Sequence, residues 1–155
     1  MKNRFEDLLA LHKNAEPLLI GNAWNAQSAK IFEQQKFKVI GTSSAAVAES
    51  LGYADGQEMS LETYLFIVER IAASVSAILT VDLEAGYGDT PEQIAANIAR
   101  LYNIGVSGIN IEDSIVVDGK RIITDAAAFA EKLKQVIRLL KNENIDMFIN
   151  LRSDS

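Results

Sequence analysis

Acidic residues recur where short apolar runs end. Asp82 and Glu84 follow the run at 77–82, and Glu112 closes the run at 108–112. The run at 147–150 leads into Asn150 and Arg152. A spacing of two puts Asp82 and Glu84 on one side of an extended segment. Carboxylates gathered at one rim repel each other, and a bound cation relieves that repulsion. Oxygen-only ligands favour Mg²⁺ or Mn²⁺ over zinc. Mg²⁺ takes one or two protein carboxylates and keeps waters, which leaves room for a chelating 2-oxo acid. A lone acid at such a turn more often caps a helix or faces solvent. Acids at successive strand ends, with Arg152 at the last, outweigh that plainer reading.

Other polar groups fall at similar places. Ser43 and Ser44, in Gly41-Thr-Ser-Ser44, could donate to a substrate carboxylate, although a Thr-Ser-Ser turn by itself is more often a loop. Gly86 and Tyr87, in Gly86-Tyr-Gly88, could let backbone approach a ligand or simply form a tight turn. Trp24 follows the first apolar run and borders the same rim, with core packing as the plain alternative. His12, the single histidine, reads as a surface residue of an N-terminal helix.

The elements that must position these residues alternate. Strands are expected at 18–21, 37–41, 77–82, 108–112 and 147–150. Helices are expected at 26–35, at 61–73 after Ser60, from Thr90-Pro-Glu-Gln93 to about 102, and from Asp125 to about 142. Gly105 sits where a helix stop is expected. Between 113 and 124, Asp118-Gly119 separates two apolar triplets, a hairpin signal, and such an excursion could gate a site. Strand–helix alternation implies right-handed βαβ units and a parallel sheet, whose functional groups gather at the carboxyl ends of the strands. Nothing follows the last strand to cover it, whereas parallel strands are normally buried on both faces. The expectation is therefore one domain over 1–155 that forms part of a larger barrel.

Composition sets outer limits. Of 155 residues, 48% are hydrophobic, enough for a core. No apolar run is long enough to span a membrane, and the start lacks a signal peptide's apolar stretch. With no cysteine, thiol nucleophiles and Cys-metal sites are absent from this sequence. A net charge of −6 argues against a nucleic-acid partner. A soluble cytoplasmic protein is the simplest expectation.

Six segments then carry a family likeness. Asn22-Ala-Trp-Asn-Ala26, Gly41-Thr-Ser-Ser44, Ser50-Leu-Gly-Tyr-Ala-Asp55, Asp82-Leu-Glu-Ala-Gly-Tyr-Gly88, Gly108-Ile-Asn-Ile-Glu-Asp113 and Asn150-Leu-Arg-Ser-Asp154 resemble, in order and spacing, the isocitrate lyase / phosphoenolpyruvate mutase superfamily. The resemblance implies an α/β (β/α)₈ TIM-type barrel, of which this chain covers roughly the first five strands. It implies Asp82 as direct Mg²⁺ ligand, with Glu84 and Glu112 holding metal-bound waters. Ser43 and Ser44 would cradle a carboxylate, and Asp55 would sit on a mobile segment near the substrate. Arg152 would stabilise substrate charge. The implied chemistry breaks or rearranges a C–C or P–C bond beside a small 2-oxo acid or phosphonate, through an enolpyruvate-like intermediate. A homo-oligomer is expected at full length.

The sequence also departs from the family. The isocitrate and methylisocitrate lyases carry a Lys-Lys/Arg-Cys-Gly-His loop. Here Lys120 and Arg121 remain, Lys120 being the candidate catalytic group, but Ile122 replaces the cysteine and the histidine is missing. Cysteine-dependent lyase activity is therefore not expected, and the likeness is to the carboxyvinyl-carboxyphosphonate phosphorylmutase-like group. Two alternatives stand beside it: a non-catalytic barrel fragment, and a flavodoxin-like ligand-binding module.

Overall fold

A computed structural model describes residues 3–117 and 119–154. In chain order the elements are α1 (Phe5–His12), β1 (Ile20–Ala23), α2 (Ala26–Gln34), β2 (Val39–Thr42), α3 (Ser44–Ser50), α4 (Leu61–Ala72), β3 (Ile78–Asp82) and α5 (Pro91–Ile104). Then come β4 (Gly108–Glu112), β5 (Ser114–Val117), β6 (Lys120–Ile123), α6 (Ala126–Asn142) and β7 (Phe148–Arg152).

Local chemistry explains the helix starts. Asn25 and Ser28 form a reciprocal capping box on α2, and Thr90 and Gln93 form one on α5 with Pro91 in its first turn. Ser60 caps α4 and Asp125 caps α6 through their side-chain oxygens. Gly105 closes α5 at φ +99°, a left-handed conformation that glycine adopts without strain.

Five strands form one parallel sheet in the order β1-β2-β3-β4-β7, while β5 and β6 form a separate antiparallel hairpin. Each sheet strand lies beside the one made before it, with no reversal of order. That excludes the flavodoxin-like alternative, whose strand order reverses at a switch point. The sheet is an open arc of a (β/α)₈ barrel. Ile40, Leu79, Val81, Ile109 and Ile111 pack in one buried cluster with Val68, Ile71, Ile94, Ile98 and Val136 of the helices. α1 closes the amino ends of the strands, where Leu8 is buried with Val39 and Ile78. Among the described residues no helix is long and apolar enough to cross a membrane.

Strand β4 has the bounds expected from the sequence, and β1 begins two residues later than expected. Leu19 is 72% exposed and stays out of the core, while Leu18 packs against the Leu8, Val39 and Ile78 cluster. The Thr-Ser-Ser turn is shorter than a loop: Ser43 caps α3 and Ser44 is its first residue. The hairpin forms as expected, with Gly119 at φ +71°; Asp118 of its turn lies outside the described residues.

Candidate active site at the carboxyl ends of the strands

β3 ends in Asp82, and β4 and β7 end side by side with Glu112 opposite Arg152. Glu84 follows β3 at φ +50°. Asp82, Glu84 and Glu112 are 8%, 5% and 4% exposed, a burial that ionised carboxylates tolerate only with partners.

Each acid has some. Ser44 Oγ donates to Asp82 Oδ2 at 2.9 Å, and Arg152 Nη1 lies 3.8 Å from the same oxygen. Tyr87 donates its phenol to Glu84 Oε1 at 3.0 Å. Arg121 Nη1 donates to Glu112 Oε1 at 2.6 Å, while Arg152 Nη2 is in ionic contact with Glu112 Oε2. Arg121 also reaches Asp154 at 2.8 Å and Asp55 at 3.1 Å, and Arg152 lies 3.6 Å from Asp154. Four carboxylates, Asp55, Asp82, Glu112 and Asp154, thus share two guanidiniums, with Glu84 held by Tyr87 beside them, leaving an excess of negative charge.

Burial is the main cause that raises the Glu84 carboxyl to about 7; the Tyr87 hydrogen bond opposes it, and the charges of Asp55, Asp82 and Glu112 reinforce it. Burial also raises Glu112, against the hydrogen bond from Arg121 and the charges of Arg152 and Arg121. The Ser114 hydrogen bond, helped by Arg121, holds Asp154 below the usual carboxylate range.

Of the buried carboxylate oxygens, Asp82 Oδ1 has no hydrogen-bond partner, whereas Glu112 Oε2 is held by the charge of Arg152. An orphan acceptor beside excess negative charge fits a divalent cation. Among the described residues no three acidic or histidine side chains converge as a ready-made ligand cage.

The remaining residues singled out in the sequence separate. Asp55 joins the cluster through Arg121. Ser43 spends its hydroxyl oxygen on the Ala46 amide as a helix cap. Gly86 (φ +104°) and Tyr87 (φ +53°) form a tight turn whose carbonyls accept from Asn97 Nδ2. Asn150 donates to Asn110 Oδ1 at 3.0 Å, and both line a cavity of about 390 Å³ on the inner face of the sheet that reaches Asp82. Trp24 is 41% exposed beside the end of β1. Lys120 is exposed and makes no ion pair or hydrogen bond with the cluster among the described residues. Arg121 pairs with Val116 across the hairpin and so takes the opposite face from Lys120. Sequence reasoning did not single out Asp154 or Ser114 for the site. His12 is exposed as expected, and its ring stacks on Phe148 at 4.2 Å.

The family model for phosphoenolpyruvate phosphomutase matches residues 8–155. The chain belongs to this family. An uncharacterised protein of Mycobacterium tuberculosis is 33% identical over 145 residues, covering 94% of this chain and 52% of that one. The 2-methylisocitrate lyase of Shewanella oneidensis is 34% identical over 113 residues, covering 72% of this chain and 37% of the lyase. A crystal structure from Burkholderia cenocepacia, assigned to the phosphonomutases, superposes with a TM-score of 0.88 at 32% identity, over 96% of this chain and 60% of that one. The chain spans about half the length of the first of these relatives. The fold also matches that of 2,3-dimethylmalate lyase, with a TM-score of 0.87 at 22% identity, over 100% of this chain and 55% of that one.

Proposed function

We propose that the full-length protein is a Mg²⁺- or Mn²⁺-dependent enzyme that cleaves or rearranges a C–C or P–C bond beside a small 2-oxo acid or phosphonate. The observation that carries this reading is the orphan Oδ1 of Asp82, buried at a strand end beside Arg152. Asp82 would hold the ion directly, with Glu84 and Glu112 receiving its waters. The ion would supply electrostatic stabilisation of oxygen charge next to the breaking bond.

The chain's own residues supply the rest. Arg152 presents a planar fork toward the enolate charge that develops as the bond breaks. Ser44 holds Oδ2 of Asp82, which leaves Oδ1 as the available oxygen. Arg121 ties the hairpin to the Asp55 segment beside Glu112. With no cysteine in the sequence, the lyase-type thiol acid has no counterpart here. Localisation in the cytoplasm and assembly into homo-oligomers belong to the same reading.

The test is a panel of 2-oxo acids and phosphonates given to the full-length protein with and without Mg²⁺. Turnover of at least one, abolished by EDTA and restored by Mg²⁺ or Mn²⁺, is the expected outcome. Turnover that survives EDTA would sink the metal-dependent mechanism. A panel without any turnover would favour a binding module.

A further inference from the structure

The side chains of Thr42 and Tyr64 meet the backbone of Asp82 in the core behind the site, where the three residues are 3%, 0% and 8% exposed. The Asp82 amide donates to Thr42 Oγ1 at 3.0 Å. Thr42 Oγ1 and the Tyr64 phenol oxygen are 2.6 Å apart. The Tyr64 phenol lies 2.8 Å from the Asp82 carbonyl. A carbonyl only accepts, so the single phenolic proton of Tyr64 goes to it. Tyr64 must then accept from Thr42, and the oxygen of Thr42 is left to take the Asp82 amide proton. The three bonds close a ring in which every proton has one direction. Burial holds the phenol neutral, in keeping with its donor role.

We infer that Tyr64, through Thr42, is a positioning residue that aims the Asp82 carboxylate. Resting on the proposed function, this extends it to a residue on α4 that contacts neither ion nor substrate. The ring clamps both the N–H and the C=O of Asp82. Ser44 fixes one carboxylate oxygen, so the other is directed with little freedom. The Tyr64 ring also stacks at 5.9 Å on Tyr87, whose hydroxyl holds Glu84. One aromatic pair therefore supports both Asp82 at the end of β3 and Glu84 just beyond it. Polarised chains of this kind are stronger closed than broken, so loss of one member should weaken the others.

The test uses the full-length protein, with Tyr64→Phe, Thr42→Val, the double variant and Thr42→Ser. Two quantities are read: the side-chain carboxyl ¹³C resonance of Asp82 without metal, and Mn²⁺ affinity by electron paramagnetic resonance. Tyr64→Phe and Thr42→Val should each move the resonance and weaken Mn²⁺ about 10-fold or more, as groups that orient a ligand typically do. The double variant should be no worse than either single one, because either change opens the ring, and Thr42→Ser should restore both readings. An unmoved Asp82 resonance in Tyr64→Phe overturns the inference, as do strictly additive losses. If the wild type itself binds no Mn²⁺, the metal reading fails separately and the resonance alone decides the role of Tyr64.

Discussion

Asp82 keeps a buried oxygen unpaired, and an unsatisfied buried acceptor costs about 1–3 kcal/mol. Removing the carboxylate lifts that cost but also gives up the Ser44 hydrogen bond and the Arg152 contact, so the two nearly offset in the fold while function ends. Asp82→Ala is expected to lower turnover by more than the roughly 10–100-fold typical of residues that only orient a ligand, with little change in melting temperature. Normal turnover in that variant would remove Asp82 from the chemistry. Arg152→Lys should also lower kcat, because lysine keeps the charge but cannot span Asp82, Glu112 and Asp154 with a planar fork. Glu84 makes a different prediction. Its folded carboxyl is raised to about 7 from 4.5, so the metal-free fold binds a proton that the unfolded chain releases. Its stability contribution is full below about 4.5 and is lost as pH rises through about 7, a difference on the order of 3 kcal/mol at most. Thermal melts of metal-free protein between pH 5 and pH 8 should show falling stability, and Glu84→Gln should flatten the slope. An unchanged slope in that variant would assign the effect elsewhere.

At the scale of elements, two segments meet above the site. Gly56 stands at φ +97°, and a Cβ there would come within 2.4 Å of Val116 on the hairpin. Gly56→Ala should therefore part the Asp55 segment from the hairpin and break the Asp55–Arg121 pair. Faster tryptic cleavage at Lys120 and Arg121 is the expected readout, and unchanged cleavage would count against this docking. The same contact bears on gating. Hydrogen exchange across 113–124 should slow when a 2-oxo acid and Mg²⁺ bind, and identical exchange would mark the hairpin as static. The sequence made three strand ends legible because β3, β4 and β7 carry Asp82, Glu112 and Arg152 as their last residues. It also made the caps of α4, α5 and α6 legible through side-chain chemistry. Arg121 and Lys120 could not be told apart, because which of two adjacent residues faces inward depends on the register of Val116 against Arg121. Asp154 lies past the last strand, where no periodicity applies. The Tyr64 ring was hidden because its members are 18 to 40 residues apart and look like ordinary helix and strand positions.

Across the whole molecule, β1 and β7 are the two end strands of the sheet. Leu19 and Leu151, 72% and 58% exposed, lie beside and on those strands. Unprotected edges with apolar neighbours invite pairing with other chains. Residues 1–155 expressed alone should therefore self-associate more than the full-length protein, as light scattering would show. A monodisperse monomer would contradict that expectation.

The order of the strands has a consequence for synthesis. Each sheet strand pairs with one that has already left the ribosome, so the arc can grow as the chain emerges. α1 is the exception. Asn3 donates to the Val106 carbonyl and the Arg4 amide donates to Ser107 Oγ, each across 103 residues, and His12 stacks on Phe148. α1 must therefore wait for segments made 103 residues later before it can dock. Until then the amino ends of β2 and β3 lack Leu8, and Val39 and Ile78 stay open to water.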